Sequence, residues 1–152
     1  MSIDARIAEL GITLPEAAAA VANYVPFVRS GNLLHIAGQL SNDASGGLKG
    51  TVGEDVSLEQ AVAGARLCGI NLLAQMKAAL DGDLSRVVRV VKLGGFVQAG
   101  PDFIDIPKVV NGCSDLMVDV FGDAGRHARS AVGVYRLPLG FAVEVDAIVE
   151  VK

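Results

Sequence analysis

The chain has 152 residues, 51% apolar and 20% charged, with a formal net charge of −4. At that length a chain buries roughly 70% of the surface its unfolded form exposes, so neither a disulfide nor a metal is needed to make a core. The acidic balance, with a sequence pI near 5.1, argues against nucleic acid, which selects a basic patch. Arg126-His127-Ala128-Arg129 is too short a basic run to track a phosphate backbone. No stretch approaches the roughly 20 apolar residues of a spanning helix, and the charged N-terminus does not read as a secretory signal. No membrane role is expected, and the expected location is the cytoplasm. Cys68 and Cys113, 45 positions apart and without a CxxC, read as buried free thiols. Two histidines, His35 and His127, are too few for a histidine-built metal site. The apolar excess fits either subunit contacts or a tightly packed core, with subunit contacts the favoured use.

Ile3, Ile7 and Leu10 have helical spacing, closed by Gly11. Leu14-Pro15-Glu16 and the alanine run after it read as an irregular lead-in. Residues 24–29 and 33–40 are expected to form a hairpin around Ser30-Gly31-Asn32. The second arm, mostly apolar, reads as a strand covered on both faces. A polar glycine-containing loop follows from Ser41 to Gly47, and a short strand is expected over Leu48–Val52.

Ser57-Leu58-Glu59-Gln60 is a capping box, in which the serine oxygen takes the Gln60 N–H and the glutamine side chain reaches back. Ala61, Ala65, Cys68, Leu72 and Met76 then share one helix face until Asp81-Gly82-Asp83. Arg86–Val97 is β-branched and reads as a strand. A second long helix is expected from an Asp105 cap, with Pro107 in its first turn. Its buried stripe is Val109, Val110, Cys113, Leu116, Met117 and Val120, and Gly122 stops it. Strands at 129–136 and 141–151 close the chain. The last alternates, with Phe141, Val143, Val145, Ala147, Val149 and Val151 on one face and Ala142, Glu144, Asp146, Ile148 and Glu150 on the other. The expected class is α+β, a mixed sheet with two helices on one face, in one domain spanning 1–152 with residues 1–20 as an N-terminal extension.

There is no GxSxG elbow and no phosphate- or dinucleotide-binding glycine motif, so no cofactor is expected. Gly94-Gly95 reads as a bulge or close-packing site. The C-terminal third runs Arg129-Ser130-Ala131-Val132, then Leu137-Pro138, then Val143-Glu144-Val145-Asp146-Ala147-Ile148. It closely resembles the signature of the RidA/YjgF family, also called the L-PSP endoribonuclease family. Tyr24-Val25, Gly31-Asn32-Leu33-Leu34 and Ala37-Gly38-Gln39 resemble that family's N-terminal hairpin. Pro101-Asp102-Phe103 to Asn111 is similar to the stretch before its second helix. The resemblance covers about residues 20–151 and is strongest to a longer branch, with extra residues at the N-terminus and around the second strand.

The resemblance implies a chorismate-mutase-like fold, a homotrimer and clefts between subunits. It also implies hydrolysis of reactive enamines and imines to 2-keto acids and ammonia. The expected partners are a small carboxylate-bearing ligand and further copies of the chain. In this likeness Arg129 binds the substrate carboxylate and Glu144 helps place the attacking water, the two forming the catalytic pair. Tyr24, Ala131, Gly38 and Asn111 border the substrate. Chemically, a guanidinium can grip a carboxylate through two parallel N–H···O bonds, which a lysine cannot reproduce. Read without the family, Arg129 is a surface ion pair, Glu144 a solvated acid and Tyr24 a core filler. The chain departs from many deaminase members at Ala37, Ala131 and His127, where they carry serine, cysteine and proline. His127 reads either as an acid near pH 7 or as an exposed loop residue. The departures bear on substrate range and leave open a non-catalytic sensor of small carboxylates. A ribonuclease, the older family label, fits the acidic balance least.

Overall fold

The computed structural model describes residues 1–20 and 22–152. Helix α1 (Ile3–Glu9) starts where Ser2 accepts the Ala5 N–H. Arg6 ties it to a segment 113 residues further along the chain by donating to the Asp119 carbonyl at 2.7 Å. The irregular lead-in follows, and its Ala18 carbonyl accepts from buried Gln75 at 2.8 Å.

Strands β1 (Phe27–Ser30) and β2 (Leu33–Leu40) form the expected hairpin, antiparallel, with Ser30 opposite Leu33. Gly31 has φ +60° in the two-residue loop, a position that suits glycine at the first place of a type II′ turn. Two expectations fail here. β2 is not covered on both faces: Leu34 and Ile36 are buried while Leu33 and His35 are exposed. Nor is Leu48–Val52 a strand. Its backbone makes only isolated bridges, Lys49 to Phe141 and Val52 to Val56 and Ala99, because Gly50 and Gly53 turn the chain at φ +125° and +90°.

Helix α2 (Leu58–Ala79) opens with the complete capping box, the Gln60 N–H to Ser57 Oγ at 3.1 Å and the Ser57 N–H to Gln60 Oε1 at 2.9 Å. Its stripe from Ala61 to Met76 is sealed. Strand β3 (Val87–Gln98) begins after a 3₁₀ turn that takes in Arg86. Helix α3 (Ile106–Phe121) buries the expected stripe. Asp105 precedes it, but the carboxylate makes no cap bond and lies 3.7 Å from Lys108 instead. A second 3₁₀ turn (Gly122–Gly125) leads to β4 (Ala128–Val134), and β5 (Val143–Val151) ends the fold.

The sheet order is β1-β2-β5-β3-β4, with β3 and β4 parallel and the other neighbours antiparallel. This is the expected mixed α+β arrangement, and α2 and α3 cover one face. The core lies between them and the sheet: Leu72, Leu93, Val97, Leu116, Val145 and Val149 are fully buried, each worth about 1.5–3 kcal/mol in water exclusion. Gly95 lets α3 close on the sheet, since a Cβ there would stand 2.6 Å from Val110. The other face is open. No helix among the described residues is long and apolar enough to cross a membrane.

Candidate functional site

The expected site residues fall into two groups. The first sits where edge strand β4 meets α3. Arg129 pairs in register with Leu93, a core residue, so its side chain leaves β4 on the helix face. Nη1 donates to Asn111 Oδ1 at 2.8 Å and to Ser114 Oγ at 3.1 Å, and Nη2 reaches the Pro107 carbonyl at 3.5 Å. Pro107, Asn111 and Ser114 stand four and three residues apart, one face of α3. Every partner is neutral, and among the described residues Arg129 makes no salt bridge. The surface ion pair read from residue type alone is therefore absent. Ala131, two residues on, lies on the same face and packs partly against the core.

Ser114 is a member of this group that the sequence reading missed. The signal was available: Asn111 and Ser114 are polar residues three apart beside an otherwise apolar stripe. Behind Ser114 stands His127, neither an isolated acid nor a free loop residue. Its Nε2 lies 2.8 Å from Ser114 Oγ and its Nδ1 2.6 Å from the Gly125 carbonyl. A carbonyl can only accept, so Nδ1 carries the hydrogen and Nε2 accepts from the Ser114 hydroxyl. Burial pushes the His127 pKa below its ordinary value; the bond to Gly125 works against this, and the nearby Arg129 charge adds to it.

The second group lies on the open face. Glu144 pairs with Phe96 and Leu40, three positions from Ala147 along β5, so it points opposite to Arg129. Its register partner strand bulges: Ile36 faces Ala147 but Gln39 faces Val145, leaving Ala37 and Gly38 opposite a single residue. Gly38 is the floor under the carboxylate, for a Cβ there would meet Glu144 Oε2 at 2.5 Å. Tyr24 is 53% exposed, so it is no core filler. It shares with Ala18–Ala20, Ala37 and Gly38 a cavity of about 220 Å³. Burial, helped by neighbouring Asp146, raises the Glu144 pKa above the ordinary carboxylate value.

Asp146 repeats the device. It stands over Gly94, beside Lys92 and His35 in a second cavity of about 430 Å³, and burial raises its pKa too. The two glycines at 94 and 95 are thus close-packing sites on opposite faces. Within the chain, then, Arg129, Asn111 and Ala131 form one cluster, Glu144, Gly38 and Tyr24 another, and the sheet separates them.

A family model described as "YjgF/chorismate_mutase-like, putative endoribonuclease" matches residues 4–150. The chain belongs to the YjgF/RidA family. Protein TCP17 of Trypanosoma cruzi is 51% identical over 152 residues, covering 99% of this chain and 94% of that protein. The crystal structure of Atu1372, a protein of unknown function from Agrobacterium tumefaciens, is also 51% identical. It superposes with a TM-score of 0.93 over 99% of this chain and 92% of that one. RidA from the Antarctic bacterium Psychrobacter sp. PAMC 21119 is 28% identical, with a TM-score of 0.62 over 90% and 94%. The YjgF/RidA architecture is thus shared throughout, and agreement is tighter with Atu1372 than with this RidA.

Proposed function

We propose that the protein is an enamine/imine deaminase, hydrolysing 2-imino and 2-enamino acids to 2-keto acids and ammonia, and that it works as a homotrimer with its sites between subunits. The observation that carries this reading is Arg129. A guanidinium held by three neutral acceptors keeps its full charge for an anion. Both Nη1 hydrogens are engaged, by Asn111 and Ser114, while Nε has no partner among the described residues. The Nε and Nη2 hydrogens on one edge of the guanidinium form the fork that a carboxylate fits with two parallel bonds.

Glu144 supplies the second function. Its raised pKa moves a carboxylate toward the range in which a general base is effective. It would take a proton from water as the oxygen attacks the C=N carbon. An enamine first tautomerises to the imine. Glu144 then passes the proton it took to the imine nitrogen, giving a carbinolamine. The carbinolamine hydroxyl proton moves to the amine as the C–N bond breaks, so ammonia leaves and the carbonyl oxygen of the keto acid comes from that water. Because the sheet separates Glu144 from Arg129 in one protomer, the reading requires a neighbouring copy to complete the cleft. Two features support this: β4 pairs only with β3 among the described residues, and Val28, Leu33 and Val132 are exposed.

That separation also favours a second reading. A non-catalytic sensor of small carboxylates needs the Arg129 cluster alone. The test generates 2-aminoacrylate from serine with a coupled dehydratase and follows pyruvate. Accelerated release that is lost in both Arg129→Ala and Glu144→Gln is the expected result. No acceleration with several amino-acid-derived imines overturns the deaminase. If 2-ketobutyrate then binds the wild type and Glu144→Ala but not Arg129→Ala, the sensor stands. Sedimentation tests the trimer.

A further inference from the structure

We propose that His127 is a positioning residue for Arg129: its neutral imidazole, through Ser114, holds the guanidinium with its Nε/Nη2 edge presented to a carboxylate. The inference rests on the carboxylate-binding role given to Arg129 above and names what regulates it.

The polarity of the chain of bonds is fixed at both ends. Arg129 Nη1 can only donate, so Ser114 Oγ accepts from it. The Gly125 carbonyl can only accept, so His127 Nδ1 donates to it. The Ser114 hydrogen then has one direction to run, into the Nε2 lone pair 2.8 Å away. Four groups are satisfied in a single sense, and each needs the next. Asn111 holds the other Nη1 hydrogen, so the guanidinium plane has two anchors rather than one.

Protonating His127 reverses one bond. Nε2 becomes a donor, Ser114 receives two donors, and its own hydrogen loses its acceptor. A second cation then also stands beside Arg129. No carboxylate among the described residues offsets this. Asp123, on the 3₁₀ turn before His127, is 3.5 Å from Arg126. Arg89 on β3 donates to the Arg126 carbonyl, and Lys92 on β3 registers with Ala128. On α3, Asp115 and Asp119 are exposed and Ser114 is the side chain that meets the ring. Arg129 is the charge whose field reaches His127, and together with burial it disfavours the imidazolium. The relay is thus set for neutral pH and loosens on acidification.

The test measures 2-ketobutyrate binding calorimetrically between about pH 7.5 and pH 5, where this ligand stays ionised. Losing one well-made bond corresponds to about fivefold in affinity. Wild type should weaken toward the acid end of the range, by at most about that factor. His127→Leu should be weakened to a similar extent at every pH. His127→Gln, whose amide oxygen accepts but does not titrate, should recover affinity relative to His127→Leu and lose the pH slope. Glu144 and Asp146 also titrate, on the other face of the sheet, and comparison with His127→Gln removes their share. A long-range ¹H–¹⁵N spectrum of the wild type, without ligand, should show the Nδ1–H tautomer at neutral pH.

An Nε2–H tautomer overturns the relay whatever the binding data show. So does a pH slope shared by wild type and His127→Gln, or binding that tightens on acidification only when His127 is present. If Arg129→Lys binds as well as wild type, the carboxylate role of Arg129 falls instead, and the spectrum still decides the bonding.

Discussion

On the helix side of the sheet, Leu93, Val97, Val145 and Val149 are sealed beneath α2 and α3. Their neighbours one position along the same strands, Lys92, Phe96, Glu144 and Asp146, stand on a side that no helix covers. Both sides have close approaches made possible by a missing Cβ. Gly95 admits Val110, an apolar branch that seals the core, whereas Gly38 and Gly94 admit the ends of Glu144 and Asp146. The first use of glycine builds stability. The second holds a charged group partly out of water, at a cost in stability that a merely structural strand would avoid. Arg129 is the exception on the helix side: at the sheet's edge, where α3 runs out of apolar residues, it is met by Asn111, Ser114 and a carbonyl.

The sharpest way to break this comparison is to cut one branched side chain back to alanine on each side. Leu93→Ala should cost about 2–5 kcal/mol by equilibrium denaturation, since it opens a cavity in a sealed layer. Val132→Ala on the open side should cost no more than about 0.5 kcal/mol at protein concentrations where the chain is monomeric. Equal losses would mean that the open face is not open. The glycines give the next largest contrast. Gly95→Ala drives a methyl into the branched end of Val110 and should cost about 1–3 kcal/mol, an overpacking penalty. Gly38→Ala meets the Glu144 side chain from Oε2 back to Cγ, a flexible chain rather than a packed branch, so its cost in stability should be smaller. Its effect should appear instead in pyruvate release from 2-aminoacrylate, because the carboxylate has to swing away.

The helix side was largely legible in the sequence because burial leaves a periodic trace. The stripes of α2 and α3 and the Val143–Val151 alternation were readable residue by residue, and so was the capping box. Ser57→Ala should remove about 1 kcal/mol and leave ligand binding unchanged, which denaturation and calorimetry together would check. Boundaries were harder to read where backbone, not side chains, decides. The apolar run 33–40 reads as doubly buried although Leu33 is exposed, and Leu48–Val52 has strand composition broken at Gly50 by a positive φ. For the candidate site, the family likeness named individual residues but not their grouping. Which face a strand residue takes depends on register, and register turned on the bulge at Ala37-Gly38. Ser114 left a trace beside the α3 stripe that went unread, whereas its bond to His127 was invisible because it joins residues 13 apart across a helix end.

The smallest effect separates the two sides by sign. Glu144 and Asp146 have folded pKa values raised above 4.5 and 3.8, burial being the main cause. Between each ordinary value and its raised one, the folded chain holds more protons than the unfolded chain. Unfolding free energy therefore falls as pH rises through that window. His127 is shifted the other way, below 6.5. Between its lowered value and 6.5 the unfolded chain holds the extra proton, so stability falls as pH drops. Glu144→Gln should flatten the loss on the rising side and leave the acid-side loss in place. His127→Gln should do the reverse. All three groups are partly exposed, so the slopes are shallow, and denaturation midpoints taken at closely spaced pH values are the measurement that resolves them. A single slope removed by both variants would mean that the open-face carboxylates and the His127–Arg129 relay are one coupled system, and the division of the molecule by its sheet would have to be redrawn.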